Sequence, residues 1–109
     1  MTYFLDANII SYIIKQIPSV LTRLQDLVRN NASIKIPIVA YYEVKRGLLA
    51  NKTSSRLAIF DTQIKQLGSI IEDADLFIGA SALENNAILI TNNARHLQRI
   101  PNLQIEILK

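Results

Sequence analysis

The spacing of apolar positions changes several times along the chain, and each change marks an element. Tyr3-Phe4-Leu5 is a short apolar run closed by Asp6, which predicts a buried strand. Asn8 to Lys15 is largely apolar and predicts a helix that stops before Ile17-Pro18, because a proline disfavours helix in the residue ahead of it. Pro18 and Ser19 open a second helix, with Val20, Leu21, Leu24, Leu27 and Val28 at helical spacing and Asn30-Asn31 as its stop. Ser33 to Val39 is rich in β-branched residues and predicts a second strand. Pro37 has no amide donor and belongs near that strand's end. Tyr41 to Leu49 reads as helix, weakened by Gly47.

A polar turn over Asn51–Ser55 follows, where Thr53, Ser54 or Ser55 can cap a helix running to about Leu67, with Gly68 after its end. Ile70-Ile71-Glu72-Asp73 leads into a helix from about Ala74 to Glu84, capped by Asp73 and stopped by Asn85-Asn86. Ala87 to Thr91 is a third, buried strand, and Asn93 to Gln98 a helical turn. Leu103 to Ile107 alternates strictly and predicts a fourth strand, polar on one face and therefore at a sheet edge. The order β-α-α-β-α-α-α-β-α-β predicts an α/β fold: a mostly parallel four-stranded sheet with helices on both faces, as one domain over residues 1–109.

Composition narrows the chemistry. The 109 residues contain no cysteine, so disulfides and thiolate metal sites are excluded. The N-terminal residues lack a basic region before their first acid, which is unlike a signal peptide, and no apolar run is long enough to span a membrane. A cytoplasmic protein without a membrane partner is the expectation. The formal net charge of +3 permits an anionic partner such as RNA. The basic residues are scattered, however, and form no aromatic-interleaved stripe.

Open parallel sheets bind ligands beyond the carboxyl ends of their strands. Asp6 and then Asn8 follow the first strand; Glu43 lies in the first turn of the helix after the second; Thr91-Asn92-Asn93 follow the third. Asp75 opens the helix that precedes the third strand and can reach the same end. Two unit charges about 4 Å apart repel by roughly 4 kcal/mol at an effective dielectric of 20, so converging carboxylates call for protons, basic neighbours or a cation. Oxygen-only ligands with free positions suit Mg²⁺ or Mn²⁺, which can activate water and offset charge on a phosphodiester. Each residue also has a plainer role open to it. Asp6 can be a turn or cap residue, Glu43 and Asp75 helix-dipole acids, and Asn93 a cap. His96 is the single histidine and is more simply a packing or surface residue than a general base. Tyr41 and Tyr42 can stack on bases, although one of the two belongs in the core. Ile9, Ile10, Ile13 and Ile14 read as core first and as a dimer face second.

Four segments carry a resemblance. Residues Tyr3 to Ser11 (YFLDANIIS), Ile38 to Leu48 (IVAYYEVKRGL), Asp75 to Leu83 (DLFIGASAL) and Ala87 to Leu97 (AILITNNARHL) resemble, in order, the motifs of PIN-domain proteins of the VapC toxin type. Ile100-Pro101-Asn102-Leu103 resembles their run-out. The resemblance implies a PIN-like three-layer α/β sandwich and an endoribonuclease dependent on Mg²⁺ or Mn²⁺. It also implies a toxin held by a cognate antitoxin, in a homodimer or higher oligomer. It puts Asp6, Glu43 and Asp75 at the catalytic, metal-ligand positions, Asn93 in an outer-shell role, and Asn8 and Thr91 at supporting polar positions.

Two features depart from that pattern. Ala7 replaces a frequent Ser or Thr, and the segment between Glu43 and Asp75 is short. The family's longer segment holds a further edge strand, whose loss would expose apolar surface and an unpaired edge. The shortening keeps a second function open: a truncated, catalytically weak or inactive PIN relic that binds an antitoxin or another PIN subunit. A receiver-type phosphoacceptor fits poorly, because it wants paired acids after the first strand and an acceptor Asp after a central one.

Overall fold

In a computed structural model the protein forms a five-stranded, wholly parallel sheet carrying helices on both faces. The structure describes residues 1–50, 54–71, 78–95 and 97–108, with the side chains of 54–56 left aside. The strands are β1 (Thr2–Leu5), β2 (Ser33–Pro37), β3 (Ser69–Ile71), β4 (Ile88–Thr91) and β5 (Gln104–Ile107). The helices are α1 (Ala7–Ile14), α2 (Pro18–Arg29), α3 (Ile38–Ala50), α4 (Ser54–Leu67) and α5 (Ile78–Glu84), with a 3-10 turn at Leu97–Arg99. The sheet order is β3-β2-β1-β4-β5, so the chain builds outward from β1 in one direction and then returns to build outward in the other.

Alternation along the strands sorts the core into two layers. Tyr3, Leu5, Ile34, Ile36 and Ile90 face one way, where Ile9, Ile10, Ile13, Val20, Leu24 and Ile64 of α1, α2 and α4 cover them. Phe4 and Leu89 face the other way, onto Ala82 of α5 and the partly buried Leu97 and Leu103. Each such large side chain contributes about 1.5–3 kcal/mol when fully buried. Ile9, Ile10 and Ile13 are spent on this chain's own core, which removes them from any dimer face. Tyr41 is buried against Phe60, whereas Tyr42 is exposed.

The helix stops are where the asparagines predicted them. Asn31 and Asn86 take φ of 62° and 51°. Around them Asn31 and Ala32 donate to Val28 and Leu27, and Asn86 and Ala87 donate to Leu83 and Ala82. This is the left-handed C-terminal motif that asparagine tolerates better than most residues. Gln16 takes the same role after α1 at φ 56°.

Three expectations are corrected. The sheet has five strands, not four. Ser69–Ile71 pairs with β2 in the register Lys35↔Ser69, Ile36↔Ile70, Pro37↔Ile71 instead of leading straight towards a helix. With three residues and two apolar side chains, β3 has no period of its own; its pairing partner defines it. Gly68 is what lets it form. A Cβ there would run into the backbone carbonyl of Ile34, so this glycine serves close approach of two chains and not a left-handed turn. The second correction is that β2 ends at Pro37 and α3 starts at once, so Ile38 and Val39 are helical despite their β-branched side chains. The third is that the turn expected over Asn93–Gln98 is a 3-10 turn at Leu97–Arg99, with Ala94 accepting from Leu97 and Gln98. Asp73, the expected cap of the helix before β4, lies outside the described residues, as do Glu72 and His96.

The edge position of the last strand stands. Its polar face does not simply meet solvent, because Glu106 receives two hydrogen bonds of 2.8 Å from the Arg23 guanidinium of α2. Beside Glu106 and Asp26 the guanidinium is held more firmly protonated than usual, mainly through the Glu106 hydrogen bonds.

Candidate active site

The reversal of strand order lies between β1 and β4, and a crevice opens at such a switch point beyond the strand carboxyl ends. β1 and β4 pair in the register Leu5↔Ile90, so the next residues, Asp6 and Thr91, meet side by side at that crevice. Thr91 is fully buried and donates its hydroxyl to Asp6 Oδ2 at 2.7 Å. The Ala7 amide donates to Asp6 Oδ1 at 2.6 Å, making Asp6 the N-cap of α1 as well. The cap role and the site role therefore coexist in one carboxylate.

Glu43 arrives from the other side. Since α3 begins directly after β2, Glu43 sits in its second turn, and Asp6 and Glu43 line one cavity of about 90 Å³. Ala7, Pro37, Val39 and Ala40 form its walls with Ile78 at the start of α5. Asp75 stands three residues before Ile78 in sequence but outside the described residues, so the structure brings together two of the three predicted acids. Among the described residues no group of three metal-ligating side chains occurs.

The donor set of the pair fits a hard cation. All the ligand atoms are carboxylate oxygens, and each Asp6 oxygen accepts one hydrogen bond while it has capacity for about two. Among the described residues the ion pairs belong to Arg23, with Asp26 and Glu106; Asp6 and Glu43 have no basic partner.

Asn93, expected in an outer-shell role, follows Thr91 by two residues and bonds within its own loop. Its backbone amide donates to Thr91 Oγ1 at 3.2 Å, and its side-chain oxygen accepts from the Arg95 amide at 3.1 Å. It thus shapes the loop that carries Thr91. Asn8 donates to Asn92 Oδ1 at 3.1 Å, and Asn92 in turn donates to the Tyr12 hydroxyl at 2.9 Å. Sequence reasoning did not single out Asn92 or Tyr12. The available signal was that Asn8 and Tyr12 are four apart and share a helix face. A polar residue just past β4 was then a candidate to bridge them.

No family model matches the sequence. A ribonuclease VapC2 of Rickettsia felis is 32% identical over an alignment of 130 positions that takes in 97% of each chain. The chain belongs to the VapC-type PIN-domain family. A ribonuclease VapC1 of Haemophilus influenzae is 27% identical, with 95% of this chain and 96% of that one covered. In three dimensions the chain is similar to VapBC2 from Rickettsia felis, solved bound to a DNA fragment from its promoter, with a TM-score of 0.87, 27% identity and full coverage of both chains. VapBC-1 from nontypeable Haemophilus influenzae shares the fold, with a TM-score of 0.78 at 23% identity and 98% of each chain covered. The Rickettsia alignment is longer than the 109 residues of this chain, so that family member carries residues that this one lacks.

Proposed function

We propose that this protein is a divalent-metal-dependent endoribonuclease and the cytoplasmic toxin of a type II toxin–antitoxin pair. The observation that carries the reading is the Asp6–Glu43 pair on one small cavity beyond the carboxyl ends of β1 and β2, with Thr91 fastened to Asp6. The kinship with ribonucleases VapC and the likeness to VapBC complexes support it.

Asp6, Glu43 and Asp75 would hold Mg²⁺ or Mn²⁺, which when bound supplies Lewis-acid charge and an acidified water for phosphodiester hydrolysis. The rest is the protein's work. Thr91 and the Ala7 amide fix both oxygens of Asp6, so its carboxylate is oriented before RNA arrives and reorganises little during reaction. The Asn8–Asn92–Tyr12 chain holds the loop after β4 against α1, which keeps Thr91 in register with Asp6. Asn93 supports that loop from behind. The apolar walls, Val39, Ala40 and Ile78, limit water around the reacting phosphate. The partners proposed are RNA as substrate, a cognate antitoxin and a second copy of the chain, in a homodimer or larger assembly.

Purified protein incubated with a mixed RNA pool in Mg²⁺, Mn²⁺ or EDTA tests the reading, with Asp6→Ala protein prepared identically. Cleavage that requires metal and vanishes in Asp6→Ala is expected. The shortened segment after Glu43 favours a second reading, a PIN module that binds partners without turnover. A folded wild type that leaves RNA intact in every metal would select it.

A further inference from the structure

A second space adjoins the acid cavity on its α1–α3 side. A groove of about 300 Å³ runs between these two helices, and Ala7 and Glu43 line both spaces, so Glu43 stands at their junction. Away from the junction the groove has apolar walls from Ile14 and Val44, a hydroxyl from Ser11, and Lys15. Gly47 of α3 also lines it, and a Cβ at that position would meet nothing within 4 Å, so a larger side chain there has room to enter the groove.

We propose that this groove is a nucleotide subsite. It takes the nucleotide next to the scissile phosphate of a single-stranded RNA, with Lys15 on a following phosphate. This inference rests on the ribonuclease reading of the acid cavity. A strand whose phosphate lies at Asp6 and Glu43 must leave the cavity, and the groove is the exit that shares its lining. The volume lies at the lower end of the range for small-ligand pockets, which suits one nucleotide. The wall chemistry is that of a single-strand site: apolar surface for a base face, a polar group for a base edge or 2′-hydroxyl, and a cation for the backbone. Lys15 lies nine residues along α1 from Asp6, about 13 Å at 1.5 Å per residue, beyond the reacting phosphate itself. It forms no ion pair among the described residues, so its charge is available.

The test uses Gly47→Leu, which fills the groove, and Lys15→Gln, which removes the cation, both checked for wild-type melting. Lys15 is remote from Asp6 along α1, and Gly47 stands one helical turn after Glu43 on α3, so kcat is read beside KM to detect any disturbance of the acid itself. KM and kcat are measured in Mg²⁺ on a labelled single-stranded RNA oligonucleotide and on a dinucleotide. Affinity for the same oligonucleotide is measured in EDTA by fluorescence anisotropy, as a function of salt. Gly47→Leu is expected to raise KM and Kd for the oligonucleotide about tenfold, the loss of one base contact, and to raise KM for the dinucleotide as well, because one of its two nucleosides occupies the groove; Lys15→Gln leaves the dinucleotide, which has no following phosphate, unaffected. Lys15→Gln is expected to flatten the slope of log affinity against log salt by about 0.7, the value for one phosphate contact on a single strand. Unchanged oligonucleotide KM and affinity in Gly47→Leu overturns the subsite and leaves the groove to a peptide partner. If wild type cleaves nothing yet binds RNA in a manner sensitive to both substitutions, the subsite stands while the nuclease reading fails. A protein that neither cleaves nor binds RNA overturns both.

Discussion

Thr91→Val is the substitution that best isolates how the site is built. Valine nearly matches threonine in shape, so the fully buried position stays filled. What disappears is the hydroxyl that donates to Asp6 Oδ2 at 2.7 Å and accepts from the Asn93 amide at 3.2 Å. A hydrogen bond to a charged group contributes about 1.5–3 kcal/mol, and a neutral one about 1. Asn93 is exposed, so water can replace the second bond, and the net cost is set by the first, at about 2 kcal/mol. For a domain of this size each kcal/mol moves the melting midpoint by roughly 4–8 °C, so a fall of about 8–16 °C is expected. Thr91→Ser keeps the hydroxyl and loses only a buried methyl, about 1 kcal/mol.

Activity separates positioning from simple stability. With one of its two anchors gone, Asp6 keeps only the Ala7 amide. Misplacing a reacting group by about 1 Å costs on the order of 100-fold in rate. Thr91→Val should therefore lose kcat by one to two orders of magnitude at a temperature where it is fully folded, with KM nearly unchanged, and Thr91→Ser should recover most of it. Melts followed by circular dichroism, cleavage kinetics, and a double-mutant cycle with Asp6→Asn provide the readouts. A coupling energy of about 1 kcal/mol or more is expected from residues in direct contact. If Thr91→Val melts within about 0.5 kcal/mol of wild type and cleaves at the wild-type rate, the hydroxyl does not position Asp6 and the reasoning fails.

Gly68→Ala should destabilise by about 1–3 kcal/mol, because its Cβ meets the rigid Ile34 carbonyl; hydrogen exchange should rise first in β3, and an unchanged melt would refute the close-approach account. Burial, and then the hydrogen bond it donates to Asp61, raise the Tyr41 hydroxyl above the ordinary tyrosine value, so its contribution to stability is complete below about pH 10 and is lost as pH climbs through the raised value. An ultraviolet titration should therefore show a tyrosine step above the ordinary value that Tyr41→Phe removes. Glu106→Gln should cost only about 1 kcal/mol, since both partners of the Arg23 pair are partly exposed, and should speed amide exchange in β5; a larger loss of global stability would mean that α2 depends on this anchor.

Sequence determined the local grammar of the protein. Proline and asparagine stops, β-branched runs and the period of apolar positions located α1, α2, β1, β4 and β5 closely, because those signals act within a few residues. The alternation of strands and helices sufficed for a parallel α/β sheet. Asp6 and Glu43 were legible as candidate site residues because each follows a strand end, and the four ordered motifs pointed to the family. Tertiary structure decided the rest. Ser69–Ile71 is a strand only because Ile36 and Pro37 lie beside it and Gly68 allows the chains to approach. Ile38-Val39 is helix despite β-branched side chains, and that early start sets where Glu43 enters the cavity. Pairing of β1 with β4 puts Thr91 against Asp6 across 85 residues of sequence, and the same pairing lets Asn92 join Asn8 to Tyr12. No window of local pattern contains such contacts, because register between distant strands is fixed by the whole buried face and not by the residues that meet.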